Sequence, residues 1–105
     1  MTADAAIQTM VDRIVQRVHP VRVILFGSHA RGSAVPESDV DLLVVLREVV
    51  DKRRTTVEIR RALGDLPVSK DIIVTTPEEI ARRGDLAGSV LRPALRDGKV
   101  VYEQQ

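Results

Sequence analysis

The chain has no cysteine and no tryptophan, and Phe26 and Tyr102 are its only aromatic side chains. The first absence excludes disulfides and thiolate metal sites. The scarcity of aromatics leaves the core to Val, Leu and Ile, and removes the stacking surface that single-stranded nucleic acids use. An excess of one charge is missing too: sixteen Lys and Arg against fifteen Asp and Glu leave a formal +1. That balance speaks against direct nucleic-acid binding. No apolar run approaches a membrane span, and no basic segment with a signal-type apolar stretch opens the sequence. The expectation is one soluble cytoplasmic domain, 1–105, with no membrane partner.

What is present is a regular alternation of patterns. Ile7, Met10, Val11, Ile14 and Val18 recur at helical spacing, and His19-Pro20 ends that helix, because proline disfavours a helical residue before it. VRVILF, Val21–Phe26, then reads as a central strand, and DVDLLVVL, Asp39–Leu46, as a second. Asp51 caps a helix that runs to Leu63 and stops at Gly64. VSKDIIVTT, from Val68, is a third strand. Thr76, Pro77 and Glu79 make a capping-box start for a short helix ending near Gly84. A further helix is expected between Asp85 and Gly98, bent or delayed by Pro93, with KVVYE as a final edge strand. The predicted fold class is α/β, a small mixed sheet of three or four strands backed by helices.

Asp39 and Asp41 stand two apart in a strand, so they share a face with Leu43 and Val45, about 6.5–7 Å apart along it. Neighbouring carboxylates repel unless a proton or a cation intervenes. A hard divalent cation is the economical answer; an acid–base dyad or a solvated strand end are the alternatives. Asp71 opens the apolar run Ile72-Ile73-Val74, and strand placement can bring it beside the pair. Three carboxylates on two strands can hold two magnesium ions, an arrangement that activates an oxygen and clamps a leaving phosphate. The alternative is that Asp71 is a polar residue that merely begins a strand; Lys70 beside it points the other way.

Gly27 and Ser28 follow the first strand directly. Glycine lets backbone approach a phosphate, and the N–H groups and hydroxyl after it can grip phosphate oxygens. A Gly-Ser pair is also ordinary turn material. There is no Gly-Lys-Ser/Thr ending and no triple-glycine dinucleotide turn. A calcium loop starting at Asp39 would need glycine where Val44 stands and glutamate where Val50 stands.

Gly27-Ser28, ten residues, then Asp39-Val40-Asp41 resembles the defining motif of the DNA polymerase beta-like nucleotidyltransferase superfamily. The string GSHARGSAVPESDVDLLVV is similar to its stand-alone minimal branch, often encoded beside a HEPN-type partner. The likeness is close from Val23 to Val45 and extends to Tyr102. It implies a polymerase beta palm-like fold, with Asp39, Asp41 and Asp71 as ligands for two Mg²⁺ (or Mn²⁺) ions. It also implies that Gly27 and Ser28 hold the phosphates of ATP, and that Asp71 positions or deprotonates an attacking hydroxyl. The implied reaction is AMP transfer to a protein hydroxyl on a HEPN-type toxin, so that this chain acts as antitoxin, oligomerising with that partner.

Arg31 lies where a triphosphate would run, and its fork suits phosphate. The bland reading is a helix-surface charge. His29 lacks a second imidazole and is a poor ligand candidate. Ser33 and Ser38 suit turn backbone better than phosphates, and Glu37 stands near the site entrance with no fixed direction. Lys52-Arg53-Arg54, Arg60-Arg61 and Arg82-Arg83 read as solvated faces, with docking of an acidic partner or RNA as the alternative. Two other functions compete with protein adenylylation. One is an antitoxin that blocks its partner by binding alone; the other is a transferase for a small hydroxyl compound, for which the chain leaves no spare acceptor segment.

Overall fold

The periodicity changes at Pro20 and again after Leu63 decide the architecture. A computed structural model describes residues 2–35, 38–84, 89 and 91–105. In order come helix α1 (Ala3–Val18), strand β1 (Arg22–Phe26), helix α2 (Ser28–Arg31), strand β2 (Val40–Val45), and helix α3 (Lys52–Leu63). Strand β3 (Lys70–Thr75), helices α4 (Pro77–Arg83) and α5 (Leu91–Asp97), and strand β4 (Lys99–Glu103) complete it. The sheet order is β3-β2-β1-β4. β1 is antiparallel to both β2 and β4, while β2 and β3 run parallel through the α3 crossover. The sheet is therefore mixed, as expected.

Alternation along the strands divides the core between two faces. Val23, Leu25, Val40, Leu42, Val44, Ile72 and Val74 pack with Met10, Ile14, Ile59 and Leu63 of α1 and α3. Ile24, Leu43 and Val45 point the other way, against Leu91 and Ala94 of α5. β2 is buried on both faces, which is why its sequence is an unbroken apolar run after Asp41. Arg13 ties α1 to the end of α3, donating to Ala62 O at 3.0 Å and pairing with Asp65.

Local signals act as read, with two differences. α1 ends at Val18, but His19 takes a left-handed conformation (φ 50°), its N–H donating to Val15 O. The Asp51 side chain accepts from Arg54 N at 3.1 Å and caps α3. The capping box at α4 is half made: Thr76 accepts from Glu79 N, while the Glu79 carboxylate turns to Thr75 and Lys52. The start of the last helix after Asp85 falls outside the described residues, and α5 begins at Leu91 with Pro93 in its first turn, where proline is tolerated. The β1–β4 pairing shifts register between Val23 and Ile24, where β4 carries one extra residue.

The Glu79 contacts join three elements. Its carboxylate accepts from the fully buried Thr75 hydroxyl at 2.5 Å and from Lys52 Nζ at 2.7 and 2.8 Å. The Lys52 bond first, then that of Thr75, hold the Glu79 carboxyl below its ordinary pKa. Stability from this group is present above the unfolded-state value and is lost as pH falls through the lower folded one. Glu79→Ala strands the buried hydroxyl and should cost about 1–3 kcal/mol in urea unfolding at neutral pH. The loss should shrink as the wild type is acidified. An equal loss at every pH would refute the assignment.

Candidate active site

β1 delivers the chain to Gly27, and the turn that follows must reverse within a few residues. Gly27 has φ +75°, which a side-chain-bearing residue adopts only with strain. Its carbonyl accepts from Ala30 N and Arg31 N, starting the single turn of α2, and Gly32, again at φ +75°, ends it. The loop returns through Ser38, whose hydroxyl accepts from Val35 N at 2.9 Å, so Ser38 serves the turn. His29 Nε2 lies 3.3 Å from Ser38 O and fastens α2 to the start of β2. Glu37 falls outside the described residues.

Asp41 faces this turn. It stands opposite Phe26 in the antiparallel register, and opposite Asp71 in the parallel one. Adjacent strands lie about 4.8 Å apart and paired residues share a face. Asp41 and Asp71 are therefore lateral neighbours, and Asp39 lies just before β2, exposed, on the same side. Lys70 turns away, donating to Leu66 O. A Cβ added to Gly27 would lie 3.1 Å from Asp41 Cγ and closer still to Oδ2. The carboxylate thus rests on bare backbone, in a space that only glycine leaves.

The electrostatics follow from that placement. The Asp41 carboxyl is pushed above its ordinary pKa by burial first, then by the charges of Asp71 and Asp39; His29 and Arg31 oppose the shift. Arg31, at the end of α2 and exposed, is close enough for its charge to act on Asp41. Such crowding of acids is what a hard cation relieves, and carboxylate oxygens are its preferred donors. In donor chemistry the three carboxylates suit a divalent metal. The three side chains do not close on one point, however, and among the described residues no group of three His, Cys, Asp or Glu is gathered tightly enough to hold an ion. Asp71 Oδ1 is engaged elsewhere, 3.2 Å from Arg60 Nη2 of α3. Arg60, read in the sequence as a solvated charge, belongs to the neighbourhood of the site.

A cavity of about 490 Å³, lined by none of the three aspartates, opens between the start of α1, the loop before β2 and the loop before β3, on the Val40 face of β2. Val35, Val40, Pro67 and Val68 give it apolar walls, and His29 and Ser38 its polar edge. Among the described residues no helix is long and apolar enough to cross a membrane.

Comparison with known proteins gives this geometry its context. The nucleotidyltransferase domain model matches residues 7–97. A protein of Methanocaldococcus jannaschii assigned as a protein adenylyltransferase is 54% identical over 33 residues. That match takes up 31% of this chain and 22% of the relative, so the chain spans about a fifth of that protein's length. A nucleotidyltransferase structure from Sulfolobus solfataricus superposes with TM-score 0.67 at 19% identity, over 95% of this chain and 79% of that one. The MNT antitoxin complex with tri-AMPylated HEPN toxin from Shewanella oneidensis gives TM-score 0.59 at 12% identity, over 98% and 74%. A structure assigned as a minimal nucleotidyltransferase is 31% identical, with TM-score 0.55, over 94% of this chain and 95% of its own. With a domain match across most of its length and a relative spanned almost end to end, this chain belongs to the nucleotidyltransferase domain family, in its minimal form.

Proposed function

We propose that the chain is a single minimal nucleotidyltransferase domain that moves AMP from ATP to a protein hydroxyl, in the cytoplasm, as the antitoxin of a HEPN-type toxin. The observation that carries this reading is the parallel register of Asp41 with Asp71, beside the Gly27 backbone. It is supported by the family match, and by the likeness to an MNT antitoxin whose HEPN partner is AMPylated. A structural neighbour solved as a toxin–antitoxin with AMP-PNP supports ATP as donor.

Asp39, Asp41 and Asp71 would hold two magnesium ions, or manganese in their place. Bound there, the cations would supply the positive charge that offsets what develops on the leaving pyrophosphate. The chain's own residues do the remaining work. The Gly27–Ser28 turn orients the triphosphate through backbone N–H groups and the Ser28 hydroxyl, and the Arg31 fork steadies its oxygens. Asp71, at the exposed edge of the sheet, accepts the proton of the incoming hydroxyl. That oxygen forms a bond to the α-phosphorus as the bond to the bridging oxygen breaks, and pyrophosphate leaves.

A HEPN-type partner, incubated with this chain, magnesium and ATP labelled at the α-phosphate, should take up label. ATP labelled at the γ-phosphate should leave it unlabelled, which separates nucleotidyl transfer from kinase chemistry. Asp41→Ala should abolish transfer and leave the complex intact. Equal neutralisation of the partner by wild type and Asp41→Ala, with no label moved by either, would establish blocking by binding alone.

A further inference from the structure

Of the acids at the site, Asp71 alone forms an ion pair among the described residues. Its partner, Arg60, lies on the last two turns of α3, next to Ile59 and one turn before Leu63, both fully buried. The helix is thus clamped to the sheet where Arg60 projects, so the guanidinium is presented to the β3 edge by a rigid support. Arg60 and Asp71 remain about half exposed, at 47% and 54%, so either partner can exchange. An arginine cannot shed its charge, and its planar fork matches carboxylate geometry.

We infer that Arg60 is an intramolecular competitor of the divalent cation at Asp71, and so a positioning residue for the third carboxylate. This rests on the nucleotidyl-transfer reading of Asp39, Asp41 and Asp71. One oxygen cannot serve a guanidinium and a metal equally well, and a dication beside Asp71 repels the arginine. Asp39 and Asp41 have no such rival among the described residues, so a cation meets two uncontested carboxylates and one contested one. The consequence is graded affinity. The pair at the base of β2 accepts an ion readily, and recruitment of Asp71 requires Arg60 to release it.

The test titrates Mn²⁺ into the full chain with a non-hydrolysable ATP analogue, reading the unbound ion by electron paramagnetic resonance. Arg60→Gln should bind Mn²⁺ about two- to fivefold more tightly than wild type, the range expected for loss of one exposed ion pair. Arg61→Gln makes the same change in net charge at a residue with no ion-pair partner among the described residues, and should leave affinity unchanged. In an Asp71→Asn background, Arg60→Gln should have no effect, because the contested carboxylate charge is gone. Circular dichroism melting checks that each variant is folded. Tightening absent in Arg60→Gln, equal in Arg61→Gln, or persisting with Asp71→Asn would overturn the inference. Those results leave the functional reading standing so long as Asp39→Asn/Asp41→Asn abolishes Mn²⁺ binding; unchanged binding in that double variant would overturn the reading itself.

Discussion

Asp41→Asn is expected to lower adenylyl transfer by ~10³-fold or more while raising the stability of the metal-free protein. The two effects have one cause. Burial first, then Asp71 and Asp39, disfavour the charge of the Asp41 carboxyl. A carboxyl whose folded pKa is raised binds its proton more tightly in the folded state than in the unfolded one. Its stabilising contribution is present at low pH and lost as pH rises through the folded value. Asparagine keeps the shape without the charge; because Asp41 is only partly buried, solvent screens much of the effect, and the variant should gain no more than about 0.5–1 kcal/mol at neutral pH, a rise of roughly 2–8 °C in Tm. The wild type should lose stability between mild acid and neutral pH relative to the variant. Magnesium should then raise the wild-type Tm and leave the variant's unmoved. A variant less stable than wild type at neutral pH would count against charge as the source of strain.

Gly27→Ala is the other change expected to be severe, and it acts through shape. The new methyl would enter the space of the Asp41 carboxylate, at a φ of +75° that alanine resists. With ψ −156° the residue sits in backbone space that is essentially glycine's alone, and that conformation costs about 1–3 kcal/mol for a side-chain-bearing residue. Relief requires Asp41 to swing or the turn to open, and displacement of about 1 Å at a reacting centre can cost 10²-fold in rate. Lower kcat, lower Tm and weaker Mn²⁺ binding should therefore appear together. Gly32→Ala is the comparison: it also has φ +75°, though in the left-handed helical region with ψ 14°, and a Cβ there meets nothing within 4 Å. It should lose stability and keep most of its activity. Equal activity losses in both variants would place the effect in turn strain rather than in contact with Asp41.

Much of this arrangement was legible because strand periodicity is blunt. Two aspartates two apart must share a face, and the apolar run after them must be buried, so the orientation of Asp39 and Asp41 needed no tertiary knowledge. Asp71 could be placed on a strand but not in register, since pairing is decided by the length of the α3 crossover and by packing against Ile59 and Leu63. Arg60 was hidden for a related reason. Helical spacing says that it lies beside buried positions, but only the return of the crossover brings it to the β3 edge. Glu79 shows the opposite case, in which the local motif was visible and a longer-range partner won. Lys52 offered a charge-assisted bond that the α4 backbone could not match.

The crossover has a further consequence, for the order in which the protein comes together. Gly27, Asp39 and Asp41 belong to neighbouring antiparallel strands joined by one short connection, whereas Asp71 arrives only after α3 has spanned the sheet. Closing that longer loop carries the larger entropic cost, and parallel pairing is the slower step. The meeting of Asp41 with Asp71 thus belongs to the late part of folding, and so does their repulsion. Interactions formed late act on the unfolding rate more than on the folding rate. A cation bound among these carboxylates would therefore lengthen the lifetime of the native state and leave its rate of formation almost untouched.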